Sequence, residues 1–170
     1  WILTSSETTG LGILSFAIDP ANDDLFYLGT REGLFRSEDG GENWSSFETG
    51  GHVKFTDVST LEFGPHGVLY AGTLGYEIFA LFPGKQVWKH LRSFDNFGSF
   101  WPIWDGRPLY QYSFLEFHPT DPDTILLGTF PAGIYISQDG GISWQESNTN
   151  FTWDGVFSLT YHPQDANILY

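Results

Sequence analysis

Ser37-Glu38-Asp39-Gly40-Gly41-Glu42-Asn43-Trp44 and Ser137-Gln138-Asp139-Gly140-Gly141-Ile142-Ser143-Trp144 follow one pattern, Ser-x-Asp-x-Gly-x-x-Trp. Each residue type in it suits a tight hairpin turn. The serine hydroxyl and the aspartate carboxylate accept hydrogen bonds from nearby backbone N–H groups, and glycine tolerates positive φ. The tryptophan that closes the pattern brings a large ring to bury between neighbouring sheets. A short apolar run leads into each octet, Leu34-Phe35-Arg36 and Ile134-Tyr135-Ile136, and reads as the strand entering the turn.

Working outward, the two octets sit at the same place inside a longer repeat. Phe16-Ala17-Ile18-Asp19-Pro20, Leu61-Glu62-Phe63-Gly64-Pro65, Leu115-Glu116-Phe117-His118-Pro119 and Leu159-Thr160-Tyr161-His162-Pro163 each read as an alternating strand ended by a proline turn, and the prolines recur at intervals of 45, 54 and 44 residues. A continuous apolar strand follows each turn: Leu25 to Thr30, Val68 to Thr73, Ile125 to Thr129, and Ile168 to Tyr170. The first three end in Gly-Thr. In the middle repeat Leu81, Pro83 and Lys85 stand where the octet has Ser, Asp and Gly, although Trp88 keeps its place. His118 and His162 share the position of Asp19 and Gly64 before the proline, which argues for a role in the turn.

The octets, so placed, resemble the Asp-box or BNR repeat of sialidases, xyloglucanase-type glycoside hydrolases, sortilin-like receptors and photosystem assembly factors. The resemblance implies an all-β chain: a β-propeller fragment of about three near-complete four-stranded antiparallel blades with partial blades at both ends. We expect one propeller segment over 1–170, with units near 12–49, 57–92 and 111–148, an incomplete unit at 156–170, and an inserted loop at 93–110. Trp1 precedes Pro20 by the same 19 residues that separate Trp144 from Pro163, so Trp1 is expected to belong to a preceding repeat. Both ends therefore read as severed from a longer parent, whose remaining blades would be this segment's nearest partners. The octet recurs in families with unrelated activities, so Ser37, Asp39, Gly41, Trp44, Ser137, Asp139, Gly141 and Trp144 are read as structural rather than as metal ligands or acid catalysts.

Composition narrows the function classes. The 170 residues are 41% hydrophobic and 18% aromatic, as in a globular protein, and Gly and Pro punctuate short runs with no sustained helical period. Seven Lys and Arg against 21 Asp and Glu give a net charge of −14, which repels a nucleic-acid backbone, so no nucleic acid is expected as partner. Without cysteine there is neither a disulfide nor a thiolate site, and His52, His66 and His90 lack metal-ligand spacing. No metal, cofactor or membrane span is expected. Asn43-Trp44-Ser45 and Asn150-Phe151-Thr152 match the N-glycosylation acceptor, a pattern that often arises by chance. Extracellular or periplasmic placement follows from the resemblance alone.

In a four-stranded meander the connections alternate between the two ends of the sheet. The proline turns and octets share one end; the links from second to third strand and from blade to blade share the other. Families of this kind place their ligand site at the second end, which here carries Arg31 and Glu32, the stretch 129–132, and the inter-blade links. One link is long: 31 residues separate Trp88 from Pro119, where the others take 19 and 21. Within it Trp101, Trp104, Asp105 and Arg107 would suit a sugar, with Trp153 and Arg31 as further binding candidates. The plainer reading folds the aromatics back onto their own blade, with Asp105-Gly106 as a turn, and is preferred because so many rings must be buried.

Three functions are open at this point. A non-catalytic scaffold binding a polysaccharide or a protein requires only the repeats. A glycoside hydrolase requires paired carboxylates, for which Asp105, Asp154 and Glu32 are candidates without a catalytic motif around them. An assembly factor or sorting receptor, favouring a basic protein partner, follows equally from the resemblance.

Overall fold

The computed structural model describes residues 10, 12–47, 57–73, 77–93, 103–104, 107–108, 113–129, 133–149, 156 and 158–170; for 92–93, 103–104, 107–108 and 113 it describes the backbone alone. Trp1 lies outside the described residues. The chain divides into two compact units, Trp1–His90 and Leu91–Tyr170.

In the first unit, β1 (Ile13–Asp19), β2 (Asn22–Thr30), β3 (Leu34–Ser37) and β4 (Ser45–Ser46) form one antiparallel sheet in sequence order. A second sheet of the same order comprises β5 (Val58–Phe63), β6 (Leu69–Thr73), β7 (Glu77–Leu81) and β8 (Lys89–Ser93). A single 3-10 turn at Pro65–Gly67 joins β5 to β6. In the second strand of each meander consecutive residues, which point to opposite faces of the sheet, are both buried, which is why its apolar run is continuous rather than alternating. All five residues of β6 are buried, as are the last five of β2.

The two sheets of this unit share one core. Ala17, Tyr27, Leu34 and Phe47 from the first meander meet Val58, Leu61, Leu69, Ala71, Phe79, Leu81 and Trp88 from the second. Phe47 sits between Tyr27 and Trp88, with ring centroids 5.8 and 6.5 Å away, and the Arg36 guanidinium lies 4.4 Å above its ring. Burying side chains of this kind contributes roughly 1.5–3 kcal/mol each, so the shared layer dominates the stability of the pair. Trp44 belongs to the opposite face of the first sheet, packed with Phe26, Leu28 and Phe35, and outside them Leu14, Phe16 and Ile18 of β1 are exposed.

In the second unit, β9 (Ile103–Trp104) pairs with β10 (Arg107–Pro108) as a short hairpin. The meander β11 (Ser113–Phe117), β12 (Ile125–Thr129), β13 (Gly133–Ser137) and β14 (Gln145–Glu146) repeats the order of the first two. A two-stranded sheet, β15 (Tyr161–His162) with β16 (Asp165–Leu169), follows it. Glu116 joins the two, its Oε1 accepting from the Tyr161 N–H at 3.1 Å and the Thr160 hydroxyl at 3.4 Å. Leu126, Ile134 and Val156 are buried beneath Phe114, Ile136, Leu159 and Tyr161. The chain is thus all-β, built of four-stranded antiparallel meanders.

Candidate functional site

The ends of the meanders differ in what their polar groups are doing. At the octet end, Ser37 Oγ donates to Asp39 Oδ1 at 2.7 Å and accepts from the Gly41 N–H at 2.9 Å. Asp39 also accepts from Asn43 N at 2.9 Å and Asn43 Nδ2 at 2.7 Å. Asp139 repeats the arrangement with Ser137 at 2.8 Å and with Ser143 N and Oγ at 2.8 and 2.6 Å. The Trp44 and Trp144 indoles donate to the carbonyls of Gly41 and Gly141, at 3.0 and 2.9 Å, and each ring is only 5% exposed. The N–H groups of Gly40 and Gly140 donate to the backbone carbonyls of Asp24 and Asp123, both at 2.9 Å, which ties the octet to the chain just after the proline turn.

This bonding sets the chemistry of the two carboxylates. Hydrogen bonds from Asn43 and Ser37 hold Asp39 down at about 2, and those from Ser143 and Ser137 lower Asp139 in the same direction. A general acid needs the opposite shift, and the oxygens are already occupied by the turn. Among the described residues no group of three or more His, Asp and Glu is placed to hold a metal ion. The middle meander turns instead at Phe82–Lys85, where Lys85 N donates to Phe82 O at 3.0 Å and Gly84 takes φ 71°, while Trp88 is as buried as its counterparts. At the proline turns, His118 Nδ1 accepts from Asp121 N at 3.0 Å and His162 Nδ1 from Gln164 N at 3.1 Å, much as Asp19 Oδ1 accepts from Ala21 N at 2.8 Å.

At the opposite end of the first unit, Thr30 holds the turn between β2 and β3 from within. Its buried hydroxyl donates to Gly33 O at 2.8 Å and accepts from the N–H groups of Glu32 and Gly33, both at 3.1 Å. The neighbouring backbone is laced through Arg31: its N–H donates to Gly12 O at 3.0 Å, and its carbonyl accepts from Asp57 N at 3.1 Å. The entries to β1 and β5 are thereby brought beside the tip of the turn. The Arg31 and Glu32 side chains are exposed there and Asp57 is half-buried. Thr129 makes the corresponding bond to Gly133 O at 3.0 Å in the second unit.

Of the binding candidates, Arg31 and Glu32 are therefore placed together. Trp101, Asp105, Trp153 and Asp154 lie outside the described residues, as do the side chains of Trp104 and Arg107, whose backbones form the β9–β10 pair. Asp57 escaped the sequence reading. Its one signal was its place immediately before the alternating run Val58–Phe63, in a link where nothing else marked it.

These meanders are blades of the β-propeller type, and the comparisons with known proteins agree. No family model matches the chain. A protein of Neosartorya fischeri described as a probable oligoxyloglucan-reducing end-specific xyloglucanase is 27% identical over 195 residues, spanning 93% of this chain and 24% of its own length. Among solved structures, the GH74 xyloglucanase from Xanthomonas campestris matches 93% of the chain with TM-score 0.66 at 20% identity, and the chain covers 26% of it. The GH74 enzyme from Niastella koreensis matches 91% with TM-score 0.64 at 16% identity, with 27% of that protein covered. The chain thus spans about a quarter of the length of the relatives it matches, and it shares their propeller fold.

Proposed function

We propose that this chain is a glycan-binding segment of an Asp-box β-propeller of glycoside-hydrolase type, with a neutral, xyloglucan-like glucan as its ligand. The observation that carries the reading is the similarity to the Neosartorya fischeri protein, which extends over 93% of the chain. The division of labour between the blade ends supports it. Octet carboxylates are consumed by their own turns, while the β2–β3 end presents charged groups to solvent from a rigid backbone. Loops on a rigid scaffold are where binding groups concentrate.

Hydrolysis would need two carboxyl groups about 5–5.5 Å apart for retention or about 6.5–9.5 Å apart for inversion. Glu32 is proposed as one member, with Asp105 or Asp154 as the other, and Trp101, Trp104, Arg107 and Trp153 as sugar-contacting groups. Titration calorimetry of the 170-residue chain with xyloglucan oligosaccharides tests the reading, with a basic peptide as the second arm. Saturable heat with the oligosaccharide is expected. Heat with the peptide alone would overturn the glycan reading in favour of a protein-binding scaffold.

A further inference from the structure

We infer that Arg31, Glu32 and Asp57 form a binding subsite for a neutral polyhydroxylated ligand, a sugar ring presenting adjacent hydroxyls. The inference rests on the glycan reading above and names residues for it. Among the described residues the polar heads of these three side chains take no part in closing the turn. Thr30 closes the turn, and the lacing to Gly12 and Asp57 runs through backbone atoms only. Among the described residues none of the three side chains makes a hydrogen bond or an ion pair. Arg36, by contrast, is bonded to Glu38 and to Gln86, the latter at 3.4 Å.

The arrangement is nevertheless held in place. The stem of Arg31 lies across Gly12 so closely that a Cβ there would come within 2.9 Å of Arg31 Cδ. Asp57 adopts φ 53°, a left-handed conformation that glycine takes most readily and that Asp adopts more often than most L-residues. Arg31 and Asp57 carry opposite charges on residues whose backbones are hydrogen-bonded, yet their side chains form no salt bridge. A donor fork and two carboxylates carried on one hydrogen-bonded stretch of backbone, without side-chain hydrogen bonds among the described residues, match the vicinal hydroxyls of a sugar, each of which donates and accepts. The mixed sign selects a neutral ligand: an anion meets Glu32 and Asp57, and a cation meets Arg31.

The test uses the full 170-residue chain and a xyloglucan oligosaccharide, followed by calorimetry, with thermal unfolding as the control for folding. Arg31→Ala and Asp57→Asn are each expected to weaken binding at least tenfold with little change in Tm. Asp57→Gly is expected to lose binding while unfolding at the same or a higher temperature, since it relieves the left-handed backbone as it removes the carboxylate. If the unaltered chain binds and all three variants bind as tightly, this subsite is wrong and the glycan reading stands. If the unaltered chain binds no oligosaccharide, both fall. Tighter binding of an oligogalacturonate than of the neutral sugar would overturn the choice of a neutral ligand.

Discussion

At Ser37 one hydroxyl serves three partners: it donates to Asp39 and accepts from the backbone N–H groups of Asp39 and Gly41. The side chain is only 1% exposed, so removing it strands Gly41's N–H and one carboxylate oxygen contact inside the turn. Ser37→Ala is predicted to cost about 1–3 kcal/mol, read as a fall in Tm of about 2–4 °C per kcal/mol. The carboxylates add an acid sensitivity whose sign follows from their bonding. Asp39 is lowered from 3.8 to about 2, and Asp121, Asp139 and Asp165 shift the same way. Such groups contribute stability that is complete above the ordinary carboxylate range and is lost as pH falls through the depressed values. Thermal scans between pH 5 and about 2 should therefore show Tm falling, and Asp39→Ala should flatten that dependence.

Elements explain what single residues do not. The Gly-Thr that ends the second strand was visible as a recurrence, and its threonine fits a turn role, but the glycine has no local reason. At Gly29 the reason is the neighbouring blade: a Cβ would lie 2.5 Å from the Val58 carbonyl and 2.2 Å from Ser15 Oγ. Ser15 Oγ itself donates to Val58 O at 2.9 Å, so β1, β2 and β5 converge at this point. Gly29→Ala must displace the Val58 carbonyl as well as the Ser15 hydroxyl, with a predicted cost of about 1–3 kcal/mol by thermal or urea unfolding. Close approach between segments almost thirty residues apart leaves no trace in periodicity, and neither does the lacing of Arg31 to Gly12 and Asp57. Proline turns, apolar runs and octets were legible because each is fixed by chemistry within a few residues of itself.

For the whole molecule, repetition made the architecture readable and left the β2–β3 end obscure. The three tryptophans of the repeat are equally buried, with or without an intact octet before them: Trp88 lies in the layer shared by two sheets, and Trp44 packs on Phe26, Leu28 and Phe35 of its own sheet. The insertion that interrupts the repeat shows a short backbone pairing, Ile103–Trp104 with Arg107–Pro108, around the Asp105-Gly106 that reads as a turn. Its side chains have no counterpart in the other repeats, so repetition predicts nothing about them. We propose that the two ends of these blades are specialised, the octet end for structure and the β2–β3 end for ligand. Amide chemical-shift mapping of the 170-residue chain during titration with a xyloglucan oligosaccharide tests it most directly. Saturable shifts are expected at Gly12, Thr30–Gly33 and Asp57, with Gly40, Gly41, Gly140 and Gly141 unmoved. Shifts confined to those four glycines and their octets would contradict it.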